Sequence, residues 1–117
     1  MTAATFRRIA LALDGAQEGA HGNHPDFRAG GKVFASLGYP DEAWGMVKLT
    51  PEQQQMLVDA EPGVFVPVKG VWGQRGATSV RLVAADATTL RSALTMARQN
   101  VTAPKLKKAK RSREGEP

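Results

Sequence analysis

The sequence contains no cysteine, few aromatic residues and no long apolar run. The absence of cysteine excludes disulfide bonds, thiolate metal sites and cysteine nucleophiles, and it fits a reducing cytoplasm, which is the location we expect. The apolar stretch near the N-terminus, IALAL, is too short to cross a membrane and shorter than the apolar region of a secretory signal. We therefore expect no membrane partner.

Motifs for catalysis and for cofactor binding are also missing. The serines lie outside the glycine-flanked setting of a hydrolase nucleophile. Gly30 and Gly31 lack the spacing of a phosphate-binding loop, and no GxGxxG segment opens a predicted helix. His21 and His24 lie three residues apart, but no third metal ligand follows at a suitable spacing. We therefore predict a protein that is not an enzyme and that uses no metal and no cofactor.

The net charge of +5 is unevenly distributed along the chain. Of the sixteen basic and eleven acidic side chains, six basic and two acidic ones follow Thr102, which leaves ten and nine for residues 1–102. A basic segment without apolar periodicity is typical of a disordered tail that binds polyanions non-specifically. We therefore predict one folded domain over residues 1–102 and a disordered basic tail over residues 103–117.

Three helices are predicted within the domain. The first covers about residues 5–14, where apolar side chains recur at helical spacing. The second begins at the segment TPEQ, because Thr50 is a good N-cap and Gln53 can complete a capping box. The third begins after Asp86, another good N-cap, and runs to about Asn100.

Alternating runs predict the strands. KVFASL and WGMVKL, joined by a connection that contains Gly, Pro and Asp, predict a β-hairpin. The run VFVPV is broken by a proline and predicts an edge strand, and TSVRLVA predicts a further strand. The order of these elements implies an α+β fold with a mainly antiparallel sheet and helices packed on one side.

These stretches resemble the MmcQ/YjbR family of small bacterial proteins. FRAGGKVFASL and AWGMVKLTPEQQQML are similar to the first half of that family, and VWGQRGATSVRL and LRSALTMARQNV to its second half. The resemblance covers roughly residues 5–102. It implies a fold similar to double-wing DNA-binding domains and a DNA-binding-like role, and it brings no catalytic residues with it.

The segment KGVWGQRGATSVRL is the first candidate contact surface. Its glycines permit a hairpin loop, Trp72 offers a flat apolar face, and Arg75 carries a fork of donors that suits phosphate. In the alternative interpretation, Trp72 packs over the sheet edge while Arg75 and Arg81 are merely solvated.

Two further stretches carry candidate residues. EGAHGNHPDFRAGGK collects His21, His24, Arg28 and Lys32 around several glycines, which predicts either a basic rim for a phosphate or carboxylate, or a plain surface loop.

On the WGMVKL strand, alternation places Trp44, Met46 and Lys48 on one face and Val47 and Leu49 on the other. If Val47 and Leu49 face the helices, the first three line an open face that suits binding, unless a loop or the tail covers Trp44.

Together these features predict a non-catalytic DNA-binding protein of low sequence specificity, which combines a basic–aromatic surface with the tail. The predicted nucleic-acid contacts are Arg28, Lys32, Lys48, Trp72, Arg75 and Arg81 in the domain, and Lys105, Lys107, Lys108, Lys110, Arg111 and Arg113 in the tail. The alternatives are a module that binds a protein or a small anionic ligand, and a scaffold whose tail alone makes the contacts.

Overall fold

The computed structural model describes the backbone of residues 1–114 and the side chains of residues 1–20 and 22–102. A short 3-10 turn, Leu82–Ala84, precedes the last helix. The elements in chain order are α1 (Ala3–Leu11), β1 (Gln17–His21), β2 (His24–Ala29), β3 (Lys32–Leu37), β4 (Trp44–Lys48), α2 (Pro51–Ala60), β5 (Phe65–Pro67), α3 (Val71–Gln74), β6 (Ala77–Arg81) and α4 (Ala87–Glu114).

Within the described backbone, the six strands form one antiparallel sheet in the order β1-β2-β3-β4-β6-β5. The α+β fold with a mainly antiparallel sheet is thereby confirmed. The predicted hairpin of β3 and β4 is present, with Ser36 opposite Met46. Strand β5, which contains Pro67, lies at the edge of the sheet, where the missing N–H of proline costs no ladder hydrogen bond.

One face of the sheet is apolar and packs against α1 and α4. All four phenylalanines of the chain belong to this core, and none is more than 1% exposed. A β-bulge in the pairing of β2 with β3 explains how β3 contributes two neighbouring residues, Phe34 and Ala35, to the core. Among the residues that the structure describes, no long helix covers the opposite face of the sheet in a comparable way.

Two segments that the sequence predicts as loops contain regular secondary structure. The basic rim around His24 is a β-hairpin made of β1 and β2, which the sequence does not reveal because the edge strand QEGAH has no apolar alternation. The predicted loop KGVWGQRG does connect two antiparallel strands, β5 and β6, but it contains the helical turn α3.

The backbone of α4 continues to Glu114, through most of the segment predicted as a disordered tail. Lys, Leu, Ala and Arg dominate this segment, and all four are strong helix formers, so a helix can extend there without an apolar stripe. The division into a domain of residues 1–102 and a tail of residues 103–117 stays a prediction. Within the described residues, no helix combines the length and the apolar character that a membrane span requires.

A close backbone approach between Gly76, in the turn from α3 to β6, and Leu49, which follows β4, generates the first testable prediction. Gly76 has a φ of +114°, and a Cβ there would overlap the carbonyl oxygen of Leu49. We expect Gly76→Ala to lower the free energy of unfolding by roughly 2 kcal/mol or more in urea denaturation, because backbone strain and overlap add.

The matched control is Gly63→Ala, since Gly63 has no positive φ and its Cβ would meet no atom within 4 Å. We expect this control to change the free energy of unfolding by less than about 1 kcal/mol. Equal effects of the two substitutions would contradict the close approach at Gly76.

The N-cap of α4 predicts a pH dependence of stability. The backbone N–H of Thr89 donates to Asp86 Oδ1 at 2.7 Å, and this bond lowers the pKa of the Asp86 carboxyl below its usual value of about 3.9. Because the folded protein favours the carboxylate, the stabilisation is complete above the unfolded pKa and is lost as the pH falls through the lower folded pKa.

Asp86→Ala should therefore lower the midpoint of thermal unfolding at pH 7, and the difference from the unchanged protein should shrink at pH 2. Asp86→Asn is the control, because asparagine also caps helices but does not titrate. A difference between Asp86→Ala and the unchanged protein that is the same at both pH values would refute this role of the carboxylate.

Candidate binding site on the open sheet face

The sheet face opposite the core holds a cavity of about 410 Å³, which we call the open-face cavity. Its floor is formed by side chains from paired strands, where Asp26 lies opposite Ser36 and Ser36 opposite Met46. Its walls come from the connections at the ends of β3 and β5. The lining residues are His24, Asp26, Val33, Ser36, Tyr39, Met46, Lys48, Val68, Lys69, Trp72 and Ala77.

Strand β4 supplies the centre of this face. Val47 and Leu49 are buried in the core, at 0% and 4% exposure, whereas Trp44, Met46 and Lys48 are half-buried on the other face, as the alternation predicts. The end of β4 is held by Asn100 of α4, whose amide Nδ2 donates to the carbonyl oxygen of Lys48 at 3.0 Å. The position of Lys48 is therefore tied to the helical layer behind the sheet.

The short helix α3 places Trp72 at the rim of the cavity. The amide Nε2 of Gln54 in α2 donates to the carbonyl oxygens of Gly73 and Ala77, each at 3.0 Å, and so joins α3 to α2 and β6. Trp72 is 60% exposed, and the Lys48 ammonium lies 5.8 Å from the centre of its ring. A tryptophan and a lysine thus stand together at one side of the cavity, although they come from distant parts of the sequence.

Tyr39 also contributes to the rim of the cavity. It lies in the turn between β3 and β4, where the Gly38 N–H donates to the carbonyl oxygen of Trp44 at 3.0 Å and closes the turn. The ring of Tyr39 is 56% exposed and meets the imidazole of His24 edge-on, with 6.4 Å between the ring centres. The cavity therefore has an exposed aromatic ring on each of two walls.

One residue of the cavity lining, Asp26, forms an ion pair with the half-exposed Arg28. The Asp26 carboxylate is 1% exposed and accepts hydrogen bonds from Arg28 Nε at 2.8 Å and from Arg28 Nη2 at 3.1 Å. These hydrogen bonds raise the pKa of the Arg28 guanidinium, and the attraction of the opposite charge adds to them. A Cβ on Gly19 would come within 2.9 Å of Asp26 Oδ1, so the pair packs directly on the backbone of β1.

A second depression of about 360 Å³ lies next to the open-face cavity, around Trp44. The guanidinium of Arg81 stacks over the Trp44 ring, with 4.6 Å from its central carbon to the ring centre. Tyr39, Val68 and Lys69 line both depressions, so the open face is a continuous surface with two low points.

The predicted contact residues do not all lie at the open-face cavity. Lys48 and Trp72 line the open-face cavity, whereas Lys32 and Arg75 are exposed outside its lining. Arg28 is engaged by Asp26, and Arg81 is stacked on Trp44. The side chains of Lys105, Lys107, Lys108, Lys110, Arg111 and Arg113 lie outside the described residues, as does that of His21.

Among the cavity residues that the sequence analysis does not single out, Tyr39 supplies an aromatic ring and Lys69 a positive charge. The sequence holds one weak signal for each of them, because both precede a residue typical of turns, Pro40 and Gly70. Among the side chains that the structure describes, no three or more of the types His, Asp and Glu are grouped so that they could hold a metal ion.

Comparisons with known proteins address the family. A structure of Deinococcus radiodurans protein DR2400, with the family-model domain DUF419, has the same fold: the TM-score is 0.75 at 21% identity, over 99% of this chain and 89% of that one. No curated protein matches the chain. The family model described as YjbR matches residues 11–100. The chain therefore belongs to the YjbR family.

Proposed function

We propose that this protein is a non-catalytic DNA-binding protein of low sequence specificity, which holds the nucleic acid on the open sheet face. The observation that carries the proposal is Trp72, which is 60% exposed and lies beside Lys48 at the rim of a cavity. An exposed indole next to a cation is the combination that nucleic-acid-binding grooves use, because the ring stacks on a base while the cation attracts the phosphate.

The open face also presents further aromatic and cationic groups. Tyr39 supplies a second exposed ring, and Lys69 a second ammonium group, at the same cavity. The negative charge of Asp26 is offset by Arg28, so the local balance is positive. Phosphate contacts position a nucleic acid but carry no sequence information, which is why low specificity is expected.

The basic segment after Thr102 adds affinity in this proposal without defining the site. It contains six lysines and arginines, and each phosphate that such a side chain neutralises releases counterions from the nucleic acid. If all six met a phosphate, the segment alone would contribute roughly −5 to the slope of log affinity against log salt concentration.

A second candidate function is supported by the volume of the open-face cavity. About 410 Å³ falls within the usual range of roughly 300–1,000 Å³ for sites that hold small molecules. A module that binds a small anionic ligand would use the same two lysines. Its affinity would respond only weakly to salt, because few charges are neutralised.

The test of the proposal is the fluorescence anisotropy of labelled DNA at several salt concentrations, with the full chain and with a chain that ends at Thr102. We expect both proteins to bind, and the full chain to lose affinity more steeply with salt. Circular dichroism serves as the control that the shorter chain is folded. Loss of all binding in a folded shorter chain would assign the DNA contacts to the basic segment alone, and it would favour the second candidate for the open-face cavity.

A pair of substitutions with the same change in charge tests the surface itself. We expect Lys48→Ala to weaken DNA binding by the shorter chain roughly tenfold, because a charged contact at the cavity is lost. Arg91→Ala is the control, since Arg91 is exposed on α4, in the helical layer behind the sheet. Equal losses of affinity in the two variants would show that only net charge matters and that the open face is not the site.

A further inference from the structure

We infer that the open-face cavity binds one unpaired nucleotide, with its base at the Trp72–Tyr39 rims and its phosphate at Lys48 and Lys69. This inference rests on the proposed function and specifies its ligand. It assigns to the cavity a planar aromatic group that carries a phosphate, and it distinguishes single strands from duplex DNA.

The shape of the site supports a planar occupant. Trp72 and Tyr39 stand on separate walls and are 60% and 56% exposed, so each ring has free surface for stacking. Between them the floor is formed by Val33, Ser36 and Met46, which offer apolar contact and one hydroxyl group. A cavity of about 410 Å³ can admit a base, whereas a duplex keeps its bases stacked and paired and cannot present one without unpairing.

The charges support an anionic occupant. Within the described side chains, neither Lys48 nor Lys69 forms an ion pair, so both ammonium groups are available to an incoming phosphate. The one carboxylate in the lining, Asp26, already accepts two hydrogen bonds from Arg28. The Lys48 ammonium lies 5.8 Å from the Trp72 ring centre, close enough for one nucleotide to meet both groups.

The side chains of the cavity also predict that a nucleotide binds there without strong preference among bases. Stacking accepts any base, because every base has an aromatic face. Apart from Asp26, which is engaged with Arg28, the polar uncharged side chains of the lining are His24, Ser36 and the two rim rings. The hydroxyl of Ser36 can donate or accept, so it does not select one base edge. We therefore expect weak discrimination between purines and pyrimidines.

A base that carries a phosphate can come from a free mononucleotide or from an unpaired nucleotide within a strand. The experiment distinguishes these two ligands. The full chain is labelled with nitrogen-15, and the indole N–H signals of its two tryptophans are followed by NMR. Trp44→Phe assigns the signal of Trp72. The probes are adenosine 5′-monophosphate, adenosine, inorganic phosphate, a single-stranded oligonucleotide and its duplex.

We expect the monophosphate to shift the Trp72 signal in a saturable way, and adenosine to bind roughly tenfold more weakly because it lacks the phosphate. Lys48→Ala should weaken the binding of the monophosphate by a similar factor, while Arg91→Ala should leave that binding unchanged. Trp72→Ala should weaken single-strand binding by roughly 5- to 150-fold, the range that base–aromatic stacking gives. The readout for this variant is the proton NMR signals of the ring of Tyr39, the one tyrosine in the sequence.

The outcomes distinguish this inference from the proposed function. If a single strand binds at least tenfold more tightly than the monophosphate, the result supports both the inference and the proposed function. It also identifies a nucleotide within a strand as the ligand. A monophosphate that binds as tightly as the strand supports the cavity as a nucleotide site and contradicts the DNA-binding proposal. Duplex binding without any saturable shift of Trp72 by monophosphate or single strand overturns the inference and leaves the DNA-binding proposal standing.

Discussion

The structure depends on one constraint, which is that the sheet has a single apolar face. The four phenylalanines and the buried aliphatic residues lie on the side of α1 and α4, and their removal from water is the main favourable contribution to folding. Because a strand alternates its side chains, every residue between these core positions must point to the other side. The open face is thus a direct consequence of the core, and its polar and aromatic residues are those that the core cannot accommodate.

A second link positions the walls of the open face. Gln54 of α2 donates to backbone carbonyl groups in α3 and β6, and the Leu49 N–H donates to the Gly76 carbonyl oxygen at 3.2 Å. These bonds hold the turn that carries Trp72 against the end of β4, where Lys48 lies. Since α2 buries no residue completely, its polar contacts to α3 matter more for the site than its contribution to the core.

The sequence predicts local features well and distant contacts poorly, for a physical reason. Thr50 and Asp86 are found as helix caps, because a cap involves only the next three residues. The outward direction of Lys48 follows from strand alternation in the same way. In contrast, Tyr39 and Lys69 line the same cavity because of the sheet order β3-β4-β6-β5, which brings together two connections that are far apart in the sequence.

The contacts of Arg28 show how a neighbouring residue changes the role of a charged side chain. The sequence treats Arg28 as a contact for nucleic acid, yet Asp26 lies two residues earlier, and the two side chains meet on one face of the sheet. Withdrawing an arginine that donates two hydrogen bonds to a buried carboxylate is costly, so Arg28 neutralises the charge of Asp26. Its contact with nucleic acid stays a prediction. The positive character of the cavity then comes from Lys48 and Lys69. Residues 1–102, which carry ten basic and nine acidic side chains, can therefore still present a cationic site, because the placement of charges, not their sum, decides what the open face attracts.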